Sequence, residues 1–175
     1  LTYGHVVRLK GGDPFIFGRG SEEIEHAESF GIPTFVVPGI SSSIAVPAYQ
    51  GISLTKRDVS ESFWVITGTT SARKLSDDVQ LAAKSTATVV ILMGMSKLAQ
   101  IVALFQEESK GETPIAIIQN GTTPEERIGV GTIDTIEAVV AAHNLSNPAI
   151  IVIGEVVKES NKLKGFYEEF IVASG

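Results

Sequence analysis

The stretch His5-Val-Val-Arg-Leu-Lys-Gly-Gly-Asp-Pro-Phe-Ile-Phe-Gly-Arg-Gly-Ser-Glu-Glu23 sets the reading of the whole chain. Val6, Val7 and Leu9 read as a buried strand, followed by a glycine turn and the start of a helix. Gly11 and Gly12 carry no Cβ, so the backbone there can take positive φ and let a ligand approach closely. Pro14 biases Asp13 toward an extended conformation. Ser21 is expected to cap the helix, and Glu22 and Glu23 suit the positive end of its dipole. Open α/β sheets hold ligands beyond the carboxyl ends of their strands, which makes this turn a candidate site. Taken alone, Gly-Gly-Asp-Pro is also an ordinary tight turn.

Composition narrows the classes. At 175 residues the chain can be one ordinary domain or two small ones. An apolar content of 43% and a charged content of 19% fit a globular protein with material for a real core. The net charge of −6 argues against general affinity for nucleic acid or anionic membrane. No apolar run reaches the length of a membrane span, and Leu1-Thr-Tyr-Gly4 has neither part of a signal peptide. The absence of Cys excludes disulfides and thiolate metal sites and fits a cytoplasmic location. The sequence opens at Leu1 almost directly on a strand pattern, so an earlier part of a larger protein is expected to be missing.

Working outward, residues 20–30 read as a helix that Gly31 and Pro33 end. Thr34–Val37 reads as a short buried strand, and Ser41–Gln50 as a short helix bent by or starting near Pro47. The polar stretch Gly51–Ser62 is the expected linker. Apolar runs at Phe63–Thr67, Thr88–Met93, Pro114–Ile118 and Pro148–Ile153 read as strands, with a short one at Glu126–Val130. Leu98, Ile101, Val102 and Phe105 form an amphipathic stripe, and Val79, Ala82 and Ala83 mark the inner face of an earlier helix. Asp134-Thr-Ile-Glu137 has the spacing of a capping box before Ile136, Val139 and Val140. Alternating strands and helices imply an α/β architecture, with a mixed sheet allowed. In the tail, Phe166, Tyr167, Phe170 and Ile171 fit an amphipathic turn or edge strand.

Several chemistries find no support. There is no Walker-type Gly-Lys-Ser/Thr, dinucleotide fingerprint or nucleophile elbow. His5, His26 and His143 are isolated and lack metal-ligand spacing, so no metal is expected. What remains is a series of loops that each follow an apolar run: Gly11-Gly-Asp13, Ser41-Ser42, Met93-Gly94 and Asn120-Gly-Thr122. Such loops can hold a nucleoside through backbone amides and carbonyls, with a Met as an apolar wall.

The string Arg8-Leu-Lys-Gly-Gly-Asp-Pro-Phe-Ile-Phe-Gly-Arg-Gly-Ser-Glu-Glu23 closely resembles the second signature of the uroporphyrinogen-III C-methyltransferases, a branch of the S-adenosylmethionine-dependent tetrapyrrole methylase family. The resemblance continues through about residue 157. Val37–Asp58 resembles the family's Pro-Gly-Ile helix with its Leu-Thr-x-Arg-Asp loop, and Ile91-Leu-Met-Gly94 its Leu-Tyr-Met-Gly motif. Gln119-Asn-Gly-Thr122 resembles Glu-Asn-Gly-Thr, and Asn147–Val157 the last strand. Leu92 and Gln119 stand where the family carries Tyr and Glu.

The resemblance implies a two-domain tetrapyrrole methylase fold of α/β class, its first domain only partly present. It places the end of that domain at residues 1–58, a second α/β domain at 59–160 and a tail at 161–175. The implied cofactor is S-adenosylmethionine, leaving as S-adenosylhomocysteine and held in a cleft between the domains. Matching positions place its contacts at Gly11, Gly12, Asp13, Ile16, Ser41, Ser42, Met93, Ala116 and Gly121. The acid/base residues are expected upstream of Leu1, so none is named. The implied substrate is a polyanionic tetrapyrrole, and Arg8, Lys10 and Arg19 flank the glycine turn as its candidate ligands, with Lys56 and Arg57 further along. The implied reaction converts uroporphyrinogen III to precorrin-2 in a cytoplasmic homodimer. Two alternatives stay open: a methylase of a later precorrin, and a non-catalytic nucleotide-binding module.

Overall fold

The computed structural model describes residues 4–165. The chain divides into two compact units, Leu1–Ser42 and Ser43–Gly175. Among its described residues the first holds one helix, α1 (Gly20–Glu28), between irregular segments. The second holds α2 (Ser42–Tyr49), β1 (Phe63–Thr67), α3 (Asp78–Lys84), β2 (Thr88–Leu92), α4 (Leu98–Glu107), β3 (Pro114–Gln119), β4 (Arg127–Thr132), α5 (Ile136–His143) and β5 (Ala149–Ile153).

Among the described residues five strands make one sheet in the order β1-β2-β5-β3-β4. β1 and β2 are parallel, while β5 runs antiparallel to both β2 and β3, and β4 antiparallel to β3. The register aligns Ile91, Ile151 and Ile117 across the three central strands, and Val90, Val152 and Ala116 beside them. Strand side chains alternate faces, so these two rows bury opposite sides of the sheet. On one face Val89, Ile91, Ile115, Ile117, Ile151 and Ile153 pack with α3, α4 and α5 through residues such as Ala82, Ile101, Phe105 and Val139. On the other, Val90, Ala116, Ile118, Val130 and Val152 pack with Val46 of α2, Ile52, Val157 and Leu163. A sheet covered on both faces needs continuous apolar strands, and the runs of β2, β3 and β5 supply them. Burial of each such Ile contributes about 1.5–3 kcal/mol.

The stripe expected on α4 is its buried face: Leu98, Ile101, Val102 and Phe105 all point inward. The mixed α/β class holds as well. Several expectations change. Val6–Leu9 and Thr34–Val37 form no strand, and Val6, Val7 and Leu9 are 78, 81 and 79% exposed. A strand needs a ladder partner to satisfy its backbone, and neither segment has one among the described residues. Ser21 does not cap α1, which begins one residue earlier behind Arg19, in left-handed conformation. The capping box at Asp134 does not form either, because α5 starts at Ile136 and the Asp134 carboxylate accepts a hydrogen bond from Gln106 Nε2 at 2.7 Å.

The boundary between units falls at Ser42/Ser43 and not at residue 58, because the expected linker is part of the second unit. Ile52 is buried in the apolar cluster behind the sheet, and Lys56 and Ser60 form a β-bridge. The start of the expected tail belongs to the same unit: Lys162 donates to the Tyr49 carbonyl and Leu163 is fully buried, while Ser160 just before it donates to the Gln50 carbonyl at 2.6 Å. The aromatic pattern from Phe166 to Ile171 lies outside the described residues.

Candidate functional site

In the first unit the glycine turn is built around one carboxylate. Asp13 Oδ1 accepts the Phe15 N–H at 2.8 Å, which closes the turn over Pro14. Asp13 Oδ2 accepts the Gly39 N–H at 2.9 Å from the loop twenty-six positions away in sequence. The bond from Gly39 first, and that from Phe15 second, hold the Asp13 carboxyl below the usual aspartate range, against a smaller opposing effect of burial. Gly12 has a φ of 102°, which a side chain would strain. Gly39 is needed for contact rather than for torsion: a Cβ there would stand 2.7 Å from the Gly12 carbonyl oxygen and 3.0 Å from Asp13 Cα. The Gly11-Gly12-Asp13 and Pro38-Gly39-Ile40 loops therefore lie backbone against backbone. Phe15, Ile16 and Phe17 leave the turn about half exposed, as an apolar edge beside it. Ser41, where the second loop ends, is buried, and Ser42 opens α2.

The cations around this turn are already paired. Glu23 of α1 accepts from Lys10 Nζ at 2.7 Å and from Arg8 Nη2 at 3.2 Å. The Lys10 bond is the main reason that the Glu23 carboxyl sits below the usual glutamate range, with Arg8 adding to it and burial opposing. Arg19 pairs with Glu22 and remains 80% exposed. The Arg8 and Arg19 pairs are exposed and worth little, so a polyanion could displace their carboxylates at small cost, whereas Lys10 is largely buried at 15% side-chain exposure.

In the second unit, Met93 follows β2 in left-handed conformation at a φ of 56°, with its side chain half exposed. Thr69 Oγ1 donates to the Met93 carbonyl at 2.8 Å and fixes that turn to the end of β1. Gly121 lies in the loop after β3, against α2: a Cβ there would meet Val46 Cγ1 at 2.4 Å. Glu126 ties the same loop down, Oε2 accepting the Thr122 N–H at 2.8 Å and Oε1 accepting from Gln50 Nε2 at 2.6 Å. Ala116 is fully buried in the middle of β3, in the cluster that also contains Val46. Gln119 is spent on scaffolding, its side-chain oxygen accepting the Ser146 N–H at 2.7 Å.

The candidate residues therefore include two local groups. One joins Gly11, Gly12 and Asp13 to the loop that leads into Ser41, and the other joins the Gly121 loop to α2. Gln50 and Glu126 were missed. The short Thr122–Glu126 spacing was a readable turn signal, but nothing local ties Glu126 to a glutamine 76 positions earlier. Among the described residues no group of His, Asp and Glu gathers that could hold a metal ion, and no helix is long and apolar enough to cross a membrane.

Fold and loops together define a mixed α/β protein with glycine-bearing loops at its strand ends. The sequence pattern described as Tetrapyrrole (Corrin/Porphyrin) Methylases matches residues 1–137, and the chain belongs to that family. It is 49% identical over 162 residues to the uroporphyrinogen-III C-methyltransferase of Synechocystis sp., covering 91% of this chain and 62% of the relative. It is 47% identical to the enzyme of the same name from Methanocaldococcus jannaschii, covering 87% of this chain and 64% of the relative. The crystal structure of uroporphyrin-III C-methyl transferase from Thermus thermophilus complexed with S-adenyl homocysteine superposes with a TM-score of 0.77 at 30% identity, over 90% of this chain and 68% of that one. The chain thus spans a little under two thirds of the length of these two curated relatives.

Proposed function

We propose that this chain is part of an S-adenosylmethionine-dependent C-methyltransferase that converts uroporphyrinogen III to precorrin-2. The observation that carries the reading is the apposition of the Gly11-Gly12-Asp13 and Pro38-Gly39-Ile40 backbones, which presents bare main chain beyond the glycine turn. The names of the relatives at 49 and 47% identity and the neighbour complexed with S-adenyl homocysteine support the same chemistry. The proposed cofactor contacts are the backbone of Gly11, Gly12 and Asp13 with Ile16, Ser41 and Ser42, and in the second unit Met93, Ala116 and Gly121. When bound, the cofactor supplies an electrophilic methyl group on a sulfonium. The residues of this chain hold and orient, and alignment of donor and acceptor supplies much of the acceleration in such a transfer. Arg8, Lys10 and Arg19 receive the acidic side chains of the tetrapyrrole by exchanging Glu23 and Glu22 for substrate carboxylates. No acid or base is assigned among these residues. We place the reaction in a cytoplasmic homodimer.

The test is transfer of label from S-adenosylmethionine to uroporphyrinogen III by the full-length protein, with two methyl groups per tetrapyrrole expected. Label that appears only on a later precorrin, or on no tetrapyrrole, overturns the assignment.

A further inference from the structure

We infer that the Asp13 carboxylate is a positioning group that holds the two glycine loops together before any ligand arrives, and that its backbone alone faces the ligand. This rests on the reading that these loops bind the cofactor. Both carboxylate oxygens already accept backbone N–H groups, Oδ1 from Phe15 and Oδ2 from Gly39. A carboxylate that also gripped a ligand would have to share the same lone pairs or release one loop. The second bond is the informative one, because it joins segments far apart in sequence, and the contact it enforces is close: Gly39 leaves room for nothing larger than hydrogen against the Gly12 carbonyl. Charged acceptors make the stronger backbone hydrogen bonds, so one side chain can fix the spacing of two loops that have no strand ladder to fix it. Those same donors hold the Asp13 carboxyl below the usual aspartate range.

Two measurements on the full-length protein separate this role from direct contact. The first needs no ligand: amide hydrogen exchange at Gly39 in the wild type and in Asp13→Ala, with circular dichroism to establish that the variant is folded. Gly39 is expected to exchange at least tenfold faster in the variant, and an unchanged rate overturns the clamp. The second is calorimetric titration with S-adenosylhomocysteine of Asp13→Ala, Gly39→Ala and the double variant. Gly39→Ala leaves the carboxylate in place and pushes the loops apart, so each single change is expected to weaken binding at least tenfold. The double variant is then expected to lie within about threefold of the weaker single, since both break one apposition. Losses that multiply, or a Gly39→Ala variant that binds like wild type, assign the carboxylate to direct contact and overturn the inference. Should the wild type fail to bind S-adenosylhomocysteine, the cofactor reading falls and the positioning role with it, whereas the exchange result stands apart from that failure.

Discussion

Gly121→Ala tests whether the loop after β3 is held by contact with α2. The new Cβ would stand 2.4 and 2.8 Å from the two γ-methyls of Val46 and 3.1 Å from its Cβ. Ordinary carbon contacts lie near 3.5–4 Å, so either the loop or α2 must move by about an ångström. Val46 cannot turn away, because it is 5% exposed and packed with Ala116, Ile118 and Ile52. Overpacking of this kind costs about 1–3 kcal/mol. With a urea slope near 2 kcal/mol/M, that is a fall of about 0.5–1.5 M in midpoint. Trp64 on β1 is the single tryptophan and reports the transition by fluorescence. The control is the same change in a Val46→Ala background. That background removes both γ-methyls, the two closest contacts, and leaves Val46 Cβ at 3.1 Å, so Gly121→Ala should then cost about 0.5 kcal/mol or less, a coupling well outside additivity. Equal costs in the two backgrounds refute the contact as the cause.

Three other changes probe the site and its supports. Glu126→Ala leaves the Thr122 N–H and the Gln50 amide without their acceptor, and is expected to lower stability by about 1–3 kcal/mol in urea unfolding, with Glu126→Gln costing less. Arg19→Glu should weaken tetrapyrrole binding more than S-adenosylhomocysteine binding in parallel titrations; equal affinity for the tetrapyrrole removes Arg19 from the substrate site. Glu23→Gln tests the paired cations through pH. The folded Glu23 carboxyl lies below its ordinary 4.5, so its contribution is present above that value and is lost as pH falls through the lowered one. The stability gap between wild type and Glu23→Gln should therefore be steady near neutral pH and close in acid, and a gap that widens in acid contradicts the assignment.

The second unit was legible because its signals are local and redundant. β2, β3 and β5 are unbroken apolar runs, and the α4 stripe repeats at helical spacing. The failures share a cause, which is that pairing and capping depend on partners that a local pattern does not name. Val6–Leu9 has the composition of a strand, but composition supplies no ladder. Asp134 has capping-box spacing, yet Gln106 captures its carboxylate first. At the site, the glycines marked the turns correctly. The bond from the Gly39 N–H to the Asp13 carboxylate was not legible, because a backbone donor 26 positions away leaves no side-chain pattern in the sequence.

The place of β5 has a consequence for the order of events on the ribosome. Among the described residues it is the last strand to be made, and it is the middle one of the sheet. Until it emerges, β1–β2 and β3–β4 are two separate ribbons, each too small to be stable alone. The edges that β5 will cover are Thr88–Leu92 and Pro114–Gln119, two largely apolar strands and the kind of edge that pairs with the wrong neighbour. Synthesis of Ala149–Ile153 closes both edges at once. The nascent chain is most exposed to aggregation in the interval between Gln119 and Ile153, and a lesion in β5 returns the finished protein to that interval.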